Sequence, residues 1–178
     1  DIFGHWKNFP CSPPPAKKVL TKNCRNTKSI VKYLTQHYPV KMDSFEKSPV
    51  GVPIIERTGK NNVDLQTQIS RDIKNLVDNE KIAPGAIVIL LNSSKEESCL
   101  ADTKAMAGHP LVSTYGGYNP RENKVFYSTI EIFKGLEADV VMLVLPADIS
   151  KNDLARLLYV EGSRAKHLLY IYQIEQAN

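Results

Sequence analysis

A chain of 178 residues with 42% apolar and 24% charged side chains is about one globular domain, which excludes an intrinsically disordered tract. No stretch approaches the ~20 apolar residues that cross a bilayer, and no signal peptide opens the chain, so no membrane partner and a cytoplasmic setting are expected. The net charge of +4 suits contact with phosphates but is far from the footprint of a dedicated nucleic-acid binder.

Residues 1–16 read as irregular, with Pro13-Pro14-Pro15 a stiff extended piece. Asn26 or Thr27 can cap a helix whose face is Ile30, Val31 and Leu34, and Pro39 stops it. Val52–Arg57 is strand-like. Gly59 and Asn61-Asn62 then turn the chain into a helix carrying Leu65, Ile69, Ile73, Leu76 and Val77 at helical spacing. After Pro84-Gly85, Ala86–Leu91 is a continuous apolar run of strand length. The pattern predicts a short helix over Glu96–Ala107, a strand at Leu111–Thr114, and a turn at Tyr115–Pro120. Val125–Ile130 and Asp139–Leu145 read as strands. Ser150 and Asp153 form a capping-box-like start to a helix with Leu154, Leu157 and Leu158, and His167–Ile174 closes as an apolar strand. Strands apolar on both faces, alternating with amphipathic helices, imply an α/β fold with a mainly parallel sheet and helices on both faces.

In such sheets ligands sit outside the carboxyl ends of the strands. Lys134, Gly135 and Glu137 follow the Val125–Ile130 strand and are expected at that edge. Gly135 permits a tight turn, Lys134 offers a cation and Glu137 offers acceptors; taken alone, Lys-Gly-x-Glu is also an ordinary capping turn. Arg164 is expected to end the helix begun near Ser150, where it is either a cation on the helix dipole or a guanidinium reaching a ligand held by a neighbouring domain. Arg25 stands before the first helix, where the dipole does not favour it. Cys11, Cys24 and Cys99 have no metal-like spacing and are expected as reduced thiols. No metal ligands are assigned.

Several of these segments resemble motifs of one family. Thr129-Ile-Glu-Ile-Phe-Lys134-Gly-Leu-Glu137 is similar to Thr-x-His-x-x-Lys-Gly-Leu-Glu, with Glu131 in the histidine position. Tyr159-Val-Glu-Gly-Ser163-Arg164-Ala165 is similar to Tyr-Val-Ala-x-Thr/Ser-Arg-Ala, with Glu161 for the small residue. Leu20-Thr-Lys-Asn-Cys-Arg25-Asn-Thr is similar to Leu-x-x-Asn-Tyr-Arg-Ser/Asn-Thr, with Cys24 for the aromatic, and Asp1-Ile-Phe-Gly resembles the tail of Gln-x-Ile-Tyr/Phe-Gly. In this order they resemble the second, C-terminal RecA-like domain of UvrD/Rep-like superfamily 1 DNA helicases. The interval from Arg25 to Lys134 is only long enough for the sheet, as in a compact member without a large accessory insertion.

The resemblance implies a RecA-like domain over residues 17–178, preceded by an inter-domain segment over 1–16. It implies an ATP-dependent helicase in which Arg25 and Arg164 contact the ATP γ-phosphate. Glu137, with Lys134 and Gly135, would contact the nucleotide, Glu137 at its sugar. Thr129 would contact single-stranded DNA, with RNA as an alternative strand, and Phe3 and Trp6 would stack on bases. Glu131 is not counted as a strand contact, because a carboxylate repels phosphates. No Gly-x-x-x-x-Gly-Lys-Ser/Thr occurs, so ATP and Mg2+ are expected to be held by an N-terminal RecA-like domain of the same parent protein and not by this chain alone. The opening at Asp1 without methionine reads as an excised domain. Rival readings are an ATPase remodelling RNA or protein–nucleic acid complexes, separated by testing duplex unwinding, and a non-enzymatic interaction module. The four retained motif residues Arg25, Lys134, Glu137 and Arg164 argue against the latter.

Overall fold

The computed structural model describes residues 22–39, 41–146 and 148–175, so Phe3, Trp6 and the expected inter-domain segment lie outside the described residues. Short strands β1 (Lys22–Asn23) and β2 (Asp43–Ser44) pair in parallel beside helix α1 (Lys28–His37). Strand β3 (Ile55–Gly59) leads into α2 (Asn62–Asp78), and a single 3-10 turn at Pro84–Ala86 feeds β4 (Ile87–Leu91). There follow β5 (Ala105–Met106), β6 (His109–Ser113), β7 (Val125–Thr129), β8 (Ala138–Val144), α3 (Lys151–Leu157) and β9 (Ala165–Ile174). The sheet order is β3-β9-β8-β4-β7-β6-β5, parallel throughout except for the β5–β6 edge.

The central strands explain why both faces need cover. Along β4, Ile87, Ile89 and Leu91 point to one core and Val88 and Leu90 to the other. Strand β8 divides in the same way, with Val140, Met142 and Val144 opposite Val141 and Leu143. Helix α2 covers the first face through Leu65, Ile69, Ile73 and Leu76, and α1 covers the second through Ile30 and Leu34. Leu154 and Leu157 of α3 pack against the second face as well. The α/β class and the mainly parallel sheet follow as the sequence implied.

Several elements differ from the sequence pattern. Thr27 is the N-cap of α1, but no side chain caps that helix; the amides of Lys28 and Ser29 donate instead to the carbonyls of Pro49 and Val50, at 2.9 Å each. Glu96–Ala107 is not a helix. Serine bonds tie the chain up locally: Ser94 Oγ, just before it, donates to the Glu97 carboxylate, Ser98 Oγ donates to the Lys95 carbonyl at 2.7 Å, and the Leu100 amide donates to Ser98 Oγ at 3.1 Å. Such bonds compete with helix formation, and the segment becomes a chain of turns ending in β5. Strand β3 starts three residues later than expected, since Pro53 has no amide to give a ladder. Helix α3 stops at Leu157 and runs into one wide π turn, Leu158–Gly162, so Arg164 stands beyond the helix and not at its end.

One polar cluster joins the layers. Asp72 on α2 is buried and accepts from the hydroxyl of fully buried Tyr172 at 2.9 Å, and from Arg57 Nε at 3.1 Å. Removing the carboxylate strands both donors, so Asp72→Ala should cost about 2–4 kcal/mol in urea denaturation. Tyr172→Phe, which leaves Arg57 on Asp72, should cost only about 1 kcal/mol. Equal losses would mean that the cluster does not act as a unit.

Candidate functional site

Three segments far apart in sequence meet at the amino edge of the sheet. The first is the turn Asn23–Thr27 before α1. Asn23 Oδ1 accepts the amides of Arg25 (2.9 Å) and Asn26 (3.0 Å), which leaves its Nδ2 to donate to Asn26 Oδ1 at 2.6 Å. That contact turns the Asn26 amide nitrogen the other way. Asn26 is 1% exposed, and its Nδ2 donates to the carbonyls of Ser163 (2.9 Å) and Ala165 (2.5 Å). Both N–H groups of the side chain are thus used on the second segment, the entry to β9. The third segment is the entry to β8, where the Ala138 amide donates to the Arg164 carbonyl at 3.1 Å. Just before it, Glu137 forms an ion pair with Arg25 Nε.

These segments bound a cavity of about 610 Å3, with Lys22, Arg25 and Lys166 against Glu137 as its charged lining. Tyr159 from the π turn forms part of its wall and stacks on Tyr38, with ring centroids 4.7 Å apart. Lys22 and Lys166 add two positive side chains, paired with Glu46 at 3.0 Å and Asp139 at 3.6 Å, so an anionic group seated here would compete with those carboxylates. Gly162 lets the wall approach: a Cβ there would stand 2.8 Å from Leu34 Cδ2, so any larger residue would force the Leu34 side chain to shift.

The site residues named from sequence do not all share this cavity. Arg25 and Glu137 touch. Arg164 does not line the cavity, although its neighbour Ser163 does; its charge acts on the carboxyl of Glu161. Lys134 and Gly135 lie in an exposed turn closed by the Leu136 amide on the Phe133 carbonyl at 3.0 Å. Gly135 has φ +87°, the left-handed conformation that favours glycine in such turns. Thr129, half-buried, ends β7 at the opposite, carboxyl edge, and its carbonyl accepts the Phe133 amide at 3.0 Å. Glu137, expected with Lys134 and Gly135 beyond the carboxyl end of the Val125–Ile130 strand, thus lies at the amino edge. The crossover from Thr129 to Glu137 spans the sheet, pinned midway by fully buried Phe133, and delivers Glu137 to the amino edge.

Two residues not singled out as functional from sequence shape the edges. Asn26 reads there only as a possible cap. Glu161 reads as a departure from a motif, and in the fold it is a carboxyl 2% exposed. Burial raises its pKa from 4.5 to about 7; Arg164 pulls it down and Glu131 pushes it further up. No family model matches the chain, and no curated protein matches it. Among solved structures, the chain is similar to the C-terminal domain of a possible DNA helicase from Lactobacillus plantarum WCFS1. The TM-score is 0.63 at 22% identity, over 85% of this chain and 88% of that one. The two share a fold. That fold is the α/β arrangement expected from the alternation of strands and helices, consistent with the RecA-like domain that the resemblance implies. Among the described residues, no helix is long and apolar enough to cross a membrane, and no group of three or more His, Cys, Asp or Glu is placed to hold a metal ion.

Glu161 gives a pH signature. The unfolded chain ionises this carboxyl near 4.5, whereas the fold holds it neutral until about 7. Its contribution to stability should thus fall by about 3 kcal/mol as pH rises through that window, and stay level above it. Glu161→Gln should abolish this fall, so the difference in urea midpoint between variant and wild type should grow from pH 4.5 to pH 8 in favour of the variant. A difference independent of pH would show that Glu161 ionises freely in the fold.

Proposed function

We propose that this chain is the C-terminal motor domain of an ATP-dependent DNA helicase or translocase. In this reading, ATP and Mg2+ bind at the interface with an N-terminal RecA-like domain that supplies the phosphate loop. Arg25 and Arg164 reach the γ-phosphate, Glu137 takes the ribose, and Lys134 and Gly135 form the turn that presents Glu137. Thr129 contacts the translocating strand at the other edge, with Phe3 and Trp6 as stacking candidates.

The observation that supports this best is the convergence at the amino edge. Arg25, Glu137 and the Ser163–Ala165 segment come from three separate motif-like stretches and are joined by Asn26 and the Arg25–Glu137 pair. Lys22, Arg25 and Lys166 share one concave face, where an anionic ligand could exchange with their partners Glu46, Glu137 and Asp139. The similarity in fold to the C-terminal domain of a possible DNA helicase points the same way.

The chemistry follows from charge. Hydrolysis builds negative charge on the transferring phosphoryl group, and a guanidinium held at the domain edge stabilises it in a setting where water is excluded. Arg25 is held by Glu137 in the chain alone, so a nucleotide contacting both residues would separate the pair. Arg164 would turn from its place near Glu161 towards the cleft as the neighbouring domain closes.

In the complete protein, Arg164→Ala should lower ATP turnover by roughly 10³-fold or more while nucleotide binding persists, because the contact acts on transition-state charge. Arg164→Lys should not restore it, since an ammonium lacks the planar fork. The 178-residue chain by itself should release no phosphate from ATP above a buffer control. Near-normal turnover in Arg164→Ala, or hydrolysis by the chain alone, would refute this assignment.

A further inference from the structure

The carboxyl edge carries a second cavity, of about 440 Å3, between the end of β7, Pro146, Asp148, Ile149 and Ser150, α3 and the π turn. Its volume is within the roughly 300–1,000 Å3 of ligand pockets. Ile149, Leu157 and Val160 give it apolar walls, and Glu131, Asp148, Asp153 and Glu161 outnumber Arg156 among its charged groups. Asp153 is already engaged, taking the Ser150 hydroxyl at 2.6 Å. Glu161 is different. It is 98% buried on the 2% exposure above, it lines the cavity, and among the described residues its carboxyl has no ion pair and no hydrogen bond.

A buried carboxyl without a partner is costly unless something completes it. A phosphodiester does not enter the cavity itself, because four carboxyl side chains line it; Thr129, the proposed strand contact, is not among its lining residues. A neutral apolar ligand would leave Glu161 as it is. A bare metal ion finds no cluster of three suitable ligands among the described residues. A cation on a long apolar stem satisfies every wall: the stem lies along Ile149, Leu157 and Val160, and the charge meets Glu161. A guanidinium fits better than an ammonium, since its flat fork can donate to both oxygens of Glu161 and sheds water more readily.

We propose that this cavity is a docking pocket for an arginine side chain carried by a basic protein segment, with Glu161 as its buried acceptor. The pocket is independent of nucleotide chemistry at the amino edge. Because Glu161 must ionise to bind, and its carboxyl titrates at about 7, affinity should depend on pH through the charged fraction. Arg164 and Arg156 favour the charged form, and Glu131, Asp148 and Asp153 oppose it.

The test uses the 13C-labelled chain and N-acetyl-arginine amide, with the Glu161 carboxyl signal assigned by its loss in Glu161→Gln. The expected result is a saturable shift of that signal at pH 8, with binding roughly 30-fold weaker at pH 5.5. N-acetyl-citrulline amide, the uncharged analogue, should leave the signal in place. Glu161→Gln, close in shape and relieved of a buried charge, should stay folded and lose at least about tenfold in affinity, read from backbone amides around α3. Glu131→Gln, on the exposed rim, should weaken binding less and keep the pH dependence. No saturable shift, an equal response to citrulline, undiminished binding by Glu161→Gln, or a Glu161 signal moved by oligothymidylate and not by the arginine compound would each overturn the proposal.

Discussion

The Asn26 carboxamide is the contact on which the amino edge depends. One buried side chain spends both of its N–H groups on carbonyls 137 and 139 residues away, and its oxygen on Asn23. No other residue type fits: aspartate would face two carbonyls with a charge, and leucine would leave both unpaired in the interior. Through that contact the turn carrying Arg25 and the start of β9 are one piece. The Arg164 carbonyl then receives the Ala138 amide, which ties in β8 and brings Glu137 to Arg25.

Polarity is divided between the two ends of the same parallel sheet. The amino edge carries Lys22, Arg25 and Lys166, each paired with a carboxylate, and the carboxyl edge carries Glu131, Asp148, Asp153 and Glu161 against Arg156. They stand roughly 20 Å apart along the seven residues of β8, at about 3.3 Å per residue. The segment Thr129–Glu137 belongs to both, since it leaves β7 at one end and enters β8 at the other. In the proposed motor this crossover is the one continuous stretch that touches strand and nucleotide. Phe133, sealed in the core between them, makes it part of the rigid body and not a loose loop.

The central strands were legible because nothing polar interrupts Ile87–Leu91 or Val140–Leu145, and a strand buried on both faces has no other way to be written. Helix α2 was legible from its spacing and from Asn61, which accepts the Asp64 amide at 3.0 Å. Glu96–Ala107 was not, because serine side chains there close turns that composition alone does not reveal. The general rule that places ligands at carboxyl ends misassigned Glu137, since sequence order does not show that a crossover carries it across the sheet. Asn26 and Glu161 were hidden for a common reason: what matters about each is set by contacts with residues distant in sequence. Within one chain the only hint of Glu161 was a charged residue where a small one would pack.

The most direct test of the Asn26 account is a double-mutant cycle on ATP turnover in the complete protein, with Arg25→Ala, Asn26→Ala and the pair, each verified as folded by circular dichroism. If Asn26 acts by holding Arg25 in place, Asn26→Ala alone should slow turnover markedly, and the double variant should be no slower than Arg25→Ala alone. Independent losses that multiply in the double variant, or an Asn26→Ala enzyme that turns over normally, would contradict it.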